Sequence, residues 1–475
     1  MNKDAEPMPP IPMVPDIPIE TQTTAKHWPK PIAVVLDAYK KLSSTMEKRL
    51  PILTVAAFIF GILISKYIPA FSDAVNTGVS KFIDFYGYVA PLAIYFILAP
   101  SLARIINSGK GSGGKFAGFA VLWLSLRRLA SLFFAVAFTG LVFGMPLVSP
   151  GHTNVMQSIL QTIKSLGWMM THSTYFFAMY AAVITVAVST KWHRIERYMN
   201  ACASGIEVFG QASVPLVPLF MLAIGSYVYG LPQNLAGQLG NGIHTIHLHP
   251  LRFLGISIDP STSTGMIMVY IVGSVLTGIC CMIWHCGLLA QCKVIVKEFS
   301  VVRYFRDYWI RVYPLLWSTS SESLATPLNL YLVKKYYPEI RTEVRRFVLG
   351  VGSYIDINGT MICVIVLMGV VASLLGIQLS WVQLALCIPL VFLIGFGVPG
   401  IPGELLLFGG PLVMLLNFPE QVGNAFLALY LGLQLGLPDS FRTGNNSTDS
   451  CVLALLINKI YIKKFGGQET PEEQD

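Results

Sequence analysis

Apolar runs of roughly 20 residues, the length that crosses a bilayer as a helix, recur from position 51 to position 465. They fall at about 51–70, 83–107, 116–148, 155–190, 203–230, 262–292, 347–376 and 425–462, which predicts eight transmembrane helices. Two further apolar stretches, 313–333 and 380–417, do not read as simple spans. The first is flanked by Arg306 and Arg311 on one side and by Lys334 and Lys335 on the other. Its middle, Ser318-Thr319-Ser320-Ser321-Glu322-Ser323, is too polar for lipid. A hairpin that enters the membrane and turns back satisfies both facts, because irregular backbone at membrane depth survives only inside protein. The second stretch is centred on Gly395-Phe396-Gly397-Val398-Pro399-Gly400-Ile401-Pro402-Gly403, which a helix cannot cross unbroken. It predicts a hairpin entering from the other side. Each hairpin precedes a span with polar residues at its middle, so the two units read as inverted repeats, the pattern that points to a transporter's binding site.

Charge orients these spans. Basic residues gather before the first span (Lys40, Lys41, Lys48, Arg49), after the second (Arg104, Lys110, Lys115), after the fourth (Lys191, Arg194, Arg197) and after the sixth (Lys293, Lys297, Arg303), and the intervening loops carry few. By the positive-inside rule both chain ends are cytoplasmic. The net charge of +8 is then loop charge rather than a nucleic-acid patch. Of the 475 residues, 54% are apolar and only 12% charged, against roughly 25% charged in soluble proteins. So few charges exclude a disordered chain, a nucleic-acid binder and a conventional cytosolic enzyme. Residues 1–48 form a proline-rich tail expected to be disordered, and 466–475 a second polar tail. No signal peptide precedes the first span, which fits a bacterial inner membrane. The eight cysteines lie mostly in apolar runs and read as free thiols. Cys280, Cys281, His285 and Cys286 are close enough to suggest a metal, but a packed or lipid-facing helix explains them more simply.

In the last span Asp439, Arg442, Thr443, Asn446, Asp449 and Ser450 interrupt an apolar background. At roughly 100° per residue they fall within an arc of about 120°, so one helix face is polar. Each charge at the bilayer centre costs about 2.5–3.5 kcal/mol and calls for a compensating role. Arg442 offers a two-pronged donor for a carboxylate and Asp439 an acceptor for an ammonium group, a combination that suits an amino acid. In the preceding span, Gly352, Asp356, Ile357, Asn358, Gly359 and Thr360 predict local unwinding that frees backbone carbonyls. Carboxylate, amide and carbonyl oxygens together suit a hard cation such as sodium, or a proton carried on Asp356.

The order of these motifs resembles the dicarboxylate/amino acid:cation symporter family, the glutamate transporters and their prokaryotic homologues. It runs from a serine-rich hairpin through Asp-Ile-Asn-Gly-Thr and Gly-Val-Pro-Gly-Ile-Pro-Gly to Asp-x-x-Arg-Thr-x-x-Asn. The match is specific from about 313 to 462. The resemblance implies an all-α polytopic membrane protein of eight transmembrane helices and two re-entrant hairpins, working as an elevator. It further implies a homotrimer in contact with lipid. Residues 49–230 would be mainly scaffold (spans 1, 2, 4 and 5) together with span 3, and residues 231–465 the remaining transport domain. Carried over by position, Arg442 and Thr360 would bind the side-chain carboxylate of aspartate or glutamate, and Asp439 the amino group. Thr443, Asn446, Ser320 and Ser321 would hold the main-chain carboxylate, under backbone from Ile401 to Gly403. The transported cation, sodium or a proton, would use Gly352, Asp356, Asn358, Asn446, Asp449 and Ser450.

This chain departs from the family at the cation residues. The family usually reads Asn-Met-Asp-Gly-Thr where Asp356-Ile357-Asn358-Gly359-Thr360 stands here. The position of its second aspartate in the last span is Ser450, with Asp449 one residue earlier. The third span carries Arg127 and Arg128, where an arginine could stand in for a bound cation or face an interface. The alternatives are a C4-dicarboxylate symporter, since Ser321-Glu322-Ser323 resembles that branch although Asp439 argues against it, and a cation-independent exchanger. No nucleophile–base pair or metal motif supports an enzyme or a resident cofactor.

Overall fold

The fold was read from a computed structural model. It describes residues 49–71, 114–148, 155–189, 256–260, 262–320, 322–352, 355–397 and 403–465, with Met46, Leu251–Phe253 and scattered positions in 73–99 and 192–229. Both tails, most of the spans expected at 83–107 and 203–230, and the hairpin tips at Ser321 and 398–402 lie outside the described residues.

The described chain is mostly helical. Helices α1 (Leu50–Tyr67), α2 (Gly114–Val142), α3 (Val155–His172) and α4 (Thr174–Ser189) are followed by a short antiparallel pair, β1 (Leu251–Phe253) and β2 (Ile256–Ile258). Then come α5 (Ser263–Ile295), α6 (Val301–Tyr304), α7 (Ile310–Thr319), α8 (Glu322–Tyr336), α9 (Thr342–Arg346) and α10 (Asn358–Leu374). Last are α11 (Trp381–Ile394), α12 (Leu406–Leu416), α13 (Glu420–Leu433) and α14 (Leu437–Phe465). Within this set, 118–142 and 264–295 are long and apolar enough to cross a membrane. The expectation of an all-α chain therefore needs one correction, the two-stranded hairpin, which is three residues long on each side. The single span expected at 155–190 is two helices that meet at Ser173, whose hydroxyl accepts the Tyr175 N–H at 3.2 Å.

Breaks in the helices have identifiable causes. Ser320 adopts a left-handed conformation (φ 50°) that ends α7, and α8 begins two residues later and packs back on α7. Past α11 the chain makes a tight turn through Gly395–Gly397 and re-enters helix beyond Gly403, whose φ of +79° strains any side-chain-bearing residue. Upstream of α10 the chain is helical as far as Gly352 among the described residues, and Ile355–Ile357 run irregularly before Asn358 starts α10. The last span is also interrupted, at Gly436 (φ +78°) between α13 and α14. Tyr270 of α5 satisfies that gap, its hydroxyl donating to Leu435 O at 2.8 Å and accepting from Leu437 N at 3.0 Å. Tyr270→Phe should cost about 1–3 kcal/mol by orphaning both backbone groups, read as a lower thermal unfolding midpoint with secondary structure unchanged.

Helix α10 is apolar on every side and buried from Asn358 to Ala372, as expected of a helix enclosed by others. It packs between α2, α5 and α14. Helices α1 to α4, by contrast, leave large apolar side chains exposed, among them Phe60, Leu122, Phe133, Trp168 and Ile184. The polar face of α14 thus points into protein, and the apolar outer faces supply the surface suited to lipid or a partner.

Candidate functional site

Every polar residue singled out in α14 is buried: Asp439, Arg442, Thr443, Asn446, Asp449 and Ser450 are at most 2% exposed. The fully buried Arg442 guanidinium is held on two sides. Its Nε donates to Asp439 Oδ1 at 2.6 Å and its Nη2 lies 2.5 Å from the same oxygen, one helical turn back. Its Nη1 donates to Glu404 Oε1, which follows the second hairpin's tip, and to Thr360 Oγ1 at 3.2 Å. Thr360 in turn donates to Glu404 Oε1 at 2.8 Å. Asp439 Oδ2 accepts the Gly403 N–H at 3.1 Å.

Asn446 ties the other hairpin to the same cluster. Its side-chain nitrogen donates to Glu322 Oε1 at 2.7 Å and to Thr360 Oγ1 at 2.9 Å, and its oxygen accepts the Gly359 N–H at 2.6 Å. Gly359 permits this approach, since a Cβ there would collide with the Arg442 carbonyl. Ser320 Oγ lies 3.1 Å from Ser440 Oγ, and the Thr443 hydroxyl caps its own helix by donating to Asp439 O at 2.8 Å. The structure therefore gathers Arg442, Asp439, Asn446, Thr360 and Gly403 into one bonded group. Ser320 is paired instead with Ser440, whose hydroxyl donates to Gly436 O, and Ser321 and Ile401 are outside the described residues.

Glu322 and Glu404 were not read as site residues, yet both are buried and bonded there. Their signal lies in the repeat: each is the acid just past a hairpin tip, Ser320-Ser321-Glu322 and Pro402-Gly403-Glu404. Asp439, Glu404 and Glu322 thus surround Arg442 and its partners with three buried acids.

The residues expected to hold a cation form a second group, crossed by protein side chains. Arg128 of α2 is fully buried, with Nε donating to Ile355 O at 2.7 Å and Nη1 to Phe392 O at 3.1 Å. Its guanidinium stacks 4.0 Å from the Phe396 ring centroid. Gly395 makes the room, since a Cβ there would stand 2.9 Å from Arg128 Nη1. Arg127 Nε stands 4.0 Å from Asp356 Oδ1, and its Nη1 donates to Gln291 Oε1 at 3.1 Å. Asp356 Oδ1 also accepts Asn358 Nδ2 at 2.7 Å. Unit charges at such a separation attract by about 4 kcal/mol at an effective dielectric near 20, and a cation placed beside the arginine would be repelled on the same scale.

The remaining members are similarly engaged. The Gly352 carbonyl accepts the N–H groups of Ile355 and Asp356. Asp449 Oδ1 lies 2.5 Å from His285 Nδ1 of α5, and Tyr304 Oη is 3.3 Å from the other ring nitrogen. Ser450 Oγ donates to Asn446 O at 3.3 Å. Cys280, Cys281 and Cys286 are free thiols, and among the described residues no cluster of three His, Cys, Asp or Glu side chains is arranged for a metal.

Broken helices that converge on a buried charged cluster, with apolar outer faces, are the arrangement found at the binding sites of membrane transporters for small solutes. Residues 245–460, a little under half of the chain, match the family model described as Sodium:dicarboxylate symporter family, consistent with the resemblance carried by the motifs there. Members are integral membrane proteins that carry small molecules such as dicarboxylates, and they are transporters rather than enzymes. No curated protein matches the chain.

Proposed function

We propose that the chain is a secondary active transporter that imports acidic amino acids, aspartate or glutamate, by an elevator movement of α2 and α5–α14 against the rest of the first half. One observation carries this reading. The Gly403–Glu404 segment presents an N–H to Asp439 and a carboxylate to Arg442 and Thr360. An amino group and a side-chain carboxylate are what an acidic amino acid presents, so the segment is a tethered likeness of the cargo. Cargo would take over both partners, its ammonium on Asp439 and its carboxylate on Arg442. Asn446, Thr443 and the tip serines Ser320 and Ser321 are assigned to the main-chain carboxylate, with Ile401 and Gly403 in the covering lid. The protein is taken to be a homotrimer of a bacterial inner membrane with both termini in the cytoplasm.

Asp439, which accepts an N–H from Gly403, favours an amino acid over a C4-dicarboxylate, which lacks an ammonium. A site built to pair with a polar group rejects analogues that lack it. Uptake of labelled aspartate into proteoliposomes should therefore be inhibited by unlabelled aspartate and glutamate at concentrations at least about tenfold below those required of succinate. Succinate competing as well as aspartate would transfer the assignment to the dicarboxylate branch.

A further inference from the structure

We propose that the buried group around Asp356 and Asp449 does not hold sodium: Arg127, Arg128 and His285 are built-in replacements for a sodium ion there. The inference rests on the transport reading above and concerns its driving ion alone.

A sodium site is assembled from oxygen acceptors around a space that the ion fills. Here the Ile355 carbonyl, Asp356 Oδ1 and Asp449 Oδ1 each face a protein group instead. Unwinding before α10 frees the Ile355 carbonyl, and Arg128 Nε takes it at 2.7 Å. Asp356, the acid of that segment, lies between Asn358 Nδ2 and the Arg127 guanidinium. The Gly352 carbonyl is consumed by the turn itself. Asp449 meets His285 across α5 and α14, and Tyr304 fixes the far side of the ring.

The atoms left over tell the same story. Asp356 Oδ2, Asn358 Oδ1 and Asp449 Oδ2 are buried acceptors with no hydrogen-bond partner among the described residues, and Arg127 Nε, Arg127 Nη2 and Arg128 Nη2 are buried donors in the same condition. A site awaiting a metal ion shows spare acceptors only. This one has donors and acceptors in equal number, and the donors carry fixed positive charge. Arg128 is also too well seated to be an accident of a surface side chain, being fully buried, stacked on Phe396 and admitted by Gly395.

The test has a readout independent of cargo. A protein that binds sodium in its folded form gains apparent stability with sodium concentration. The full chain in detergent should unfold at the same temperature, within about 1 °C, in sodium chloride and in choline chloride of equal ionic strength. A sodium-specific rise of about 3 °C or more in the wild-type protein would overturn the inference. The double variant Arg127→Gln/Arg128→Gln uncovers the acceptors, and if folded it should gain a sodium-specific rise. A folded variant without one would remove the arginines from the role of stand-ins. Aspartate exchange across proteoliposomes should proceed at rates within about twofold with and without sodium. Absence of exchange in every salt would reject the acidic amino-acid reading while leaving the thermal comparison to decide the sodium question.

Discussion

Arg442→Ala is expected to abolish uptake of aspartate and glutamate, because Arg442 is the cationic side chain bonded to both Asp439 and Glu404. The loss should appear in binding as well as in rate, since the carboxylate loses its only charged partner; charge-assisted, two-pronged bonds of this kind are the strong ones. Arg442→Ala also strands Asp439 and Glu404 as buried acids, and breaking a buried ion pair from one side costs about 3–5 kcal/mol. A transport defect alone would thus be ambiguous. The combination Arg442→Ala with Glu404→Gln and Asp439→Asn removes the stranded charge and should restore the unfolding temperature without restoring uptake. Arg442→Lys keeps the charge but not the planar fork, and it too should fold and fail. Isothermal titration with aspartate on the folded variants decides the matter: wild-type affinity in any of them would remove Arg442 from the site.

Glu404→Gln is expected to act in the opposite direction. If the Gly403–Glu404 segment competes with cargo for Arg442 and Thr360, weakening its hold lets cargo in more readily. Exchanging a charge-assisted bond for a neutral one forfeits roughly 1–1.5 kcal/mol. Affinity for aspartate should therefore rise about tenfold. Glu404→Ala should go further but also loosen the covering segment, so the conservative amide is the cleaner probe. Reduced affinity in Glu404→Gln would show instead that the carboxylate assists cargo binding.

Local sequence made the interruptions legible. Ser320 ends α7 inside the polar run that cannot face lipid, the turn after α11 coincides with the Gly/Pro run, and Ile355–Ile357 is irregular where Asp356, Asn358 and Gly359 favour unwinding. Each of these depends on residues within a few positions of one another. The clustering of Asp439, Arg442 and Asn446 on one side of α14 was legible for the same reason, helical periodicity. Long-range pairs were not. His285 meets Asp449 across 164 positions and Arg128 meets Ile355 across 227, and no local pattern encodes such meetings. The pairing of Glu404 with Arg442 escaped notice because an acid beside a Gly/Pro turn reads as a loop charge until the turn is known to fold inward. The gap at Gly436 was missed too, since a lone glycine in an apolar run carries little signal without Tyr270 beside it.

The chain of bonds from Glu322 through Asn446 and Thr360 to Glu404 joins an acid behind one hairpin tip to its counterpart behind the other. Both doors of the compartment are latched to a single bolt. In the proposed transporter, lifting one would loosen the grip on the other through Asn446 and Thr360, two short side chains with little slack, and through Arg442 beside them. Were the two hairpins the gates of the proposed transporter, this wiring would be an interlock against standing open at both ends, set by an amide and a hydroxyl rather than by bulk.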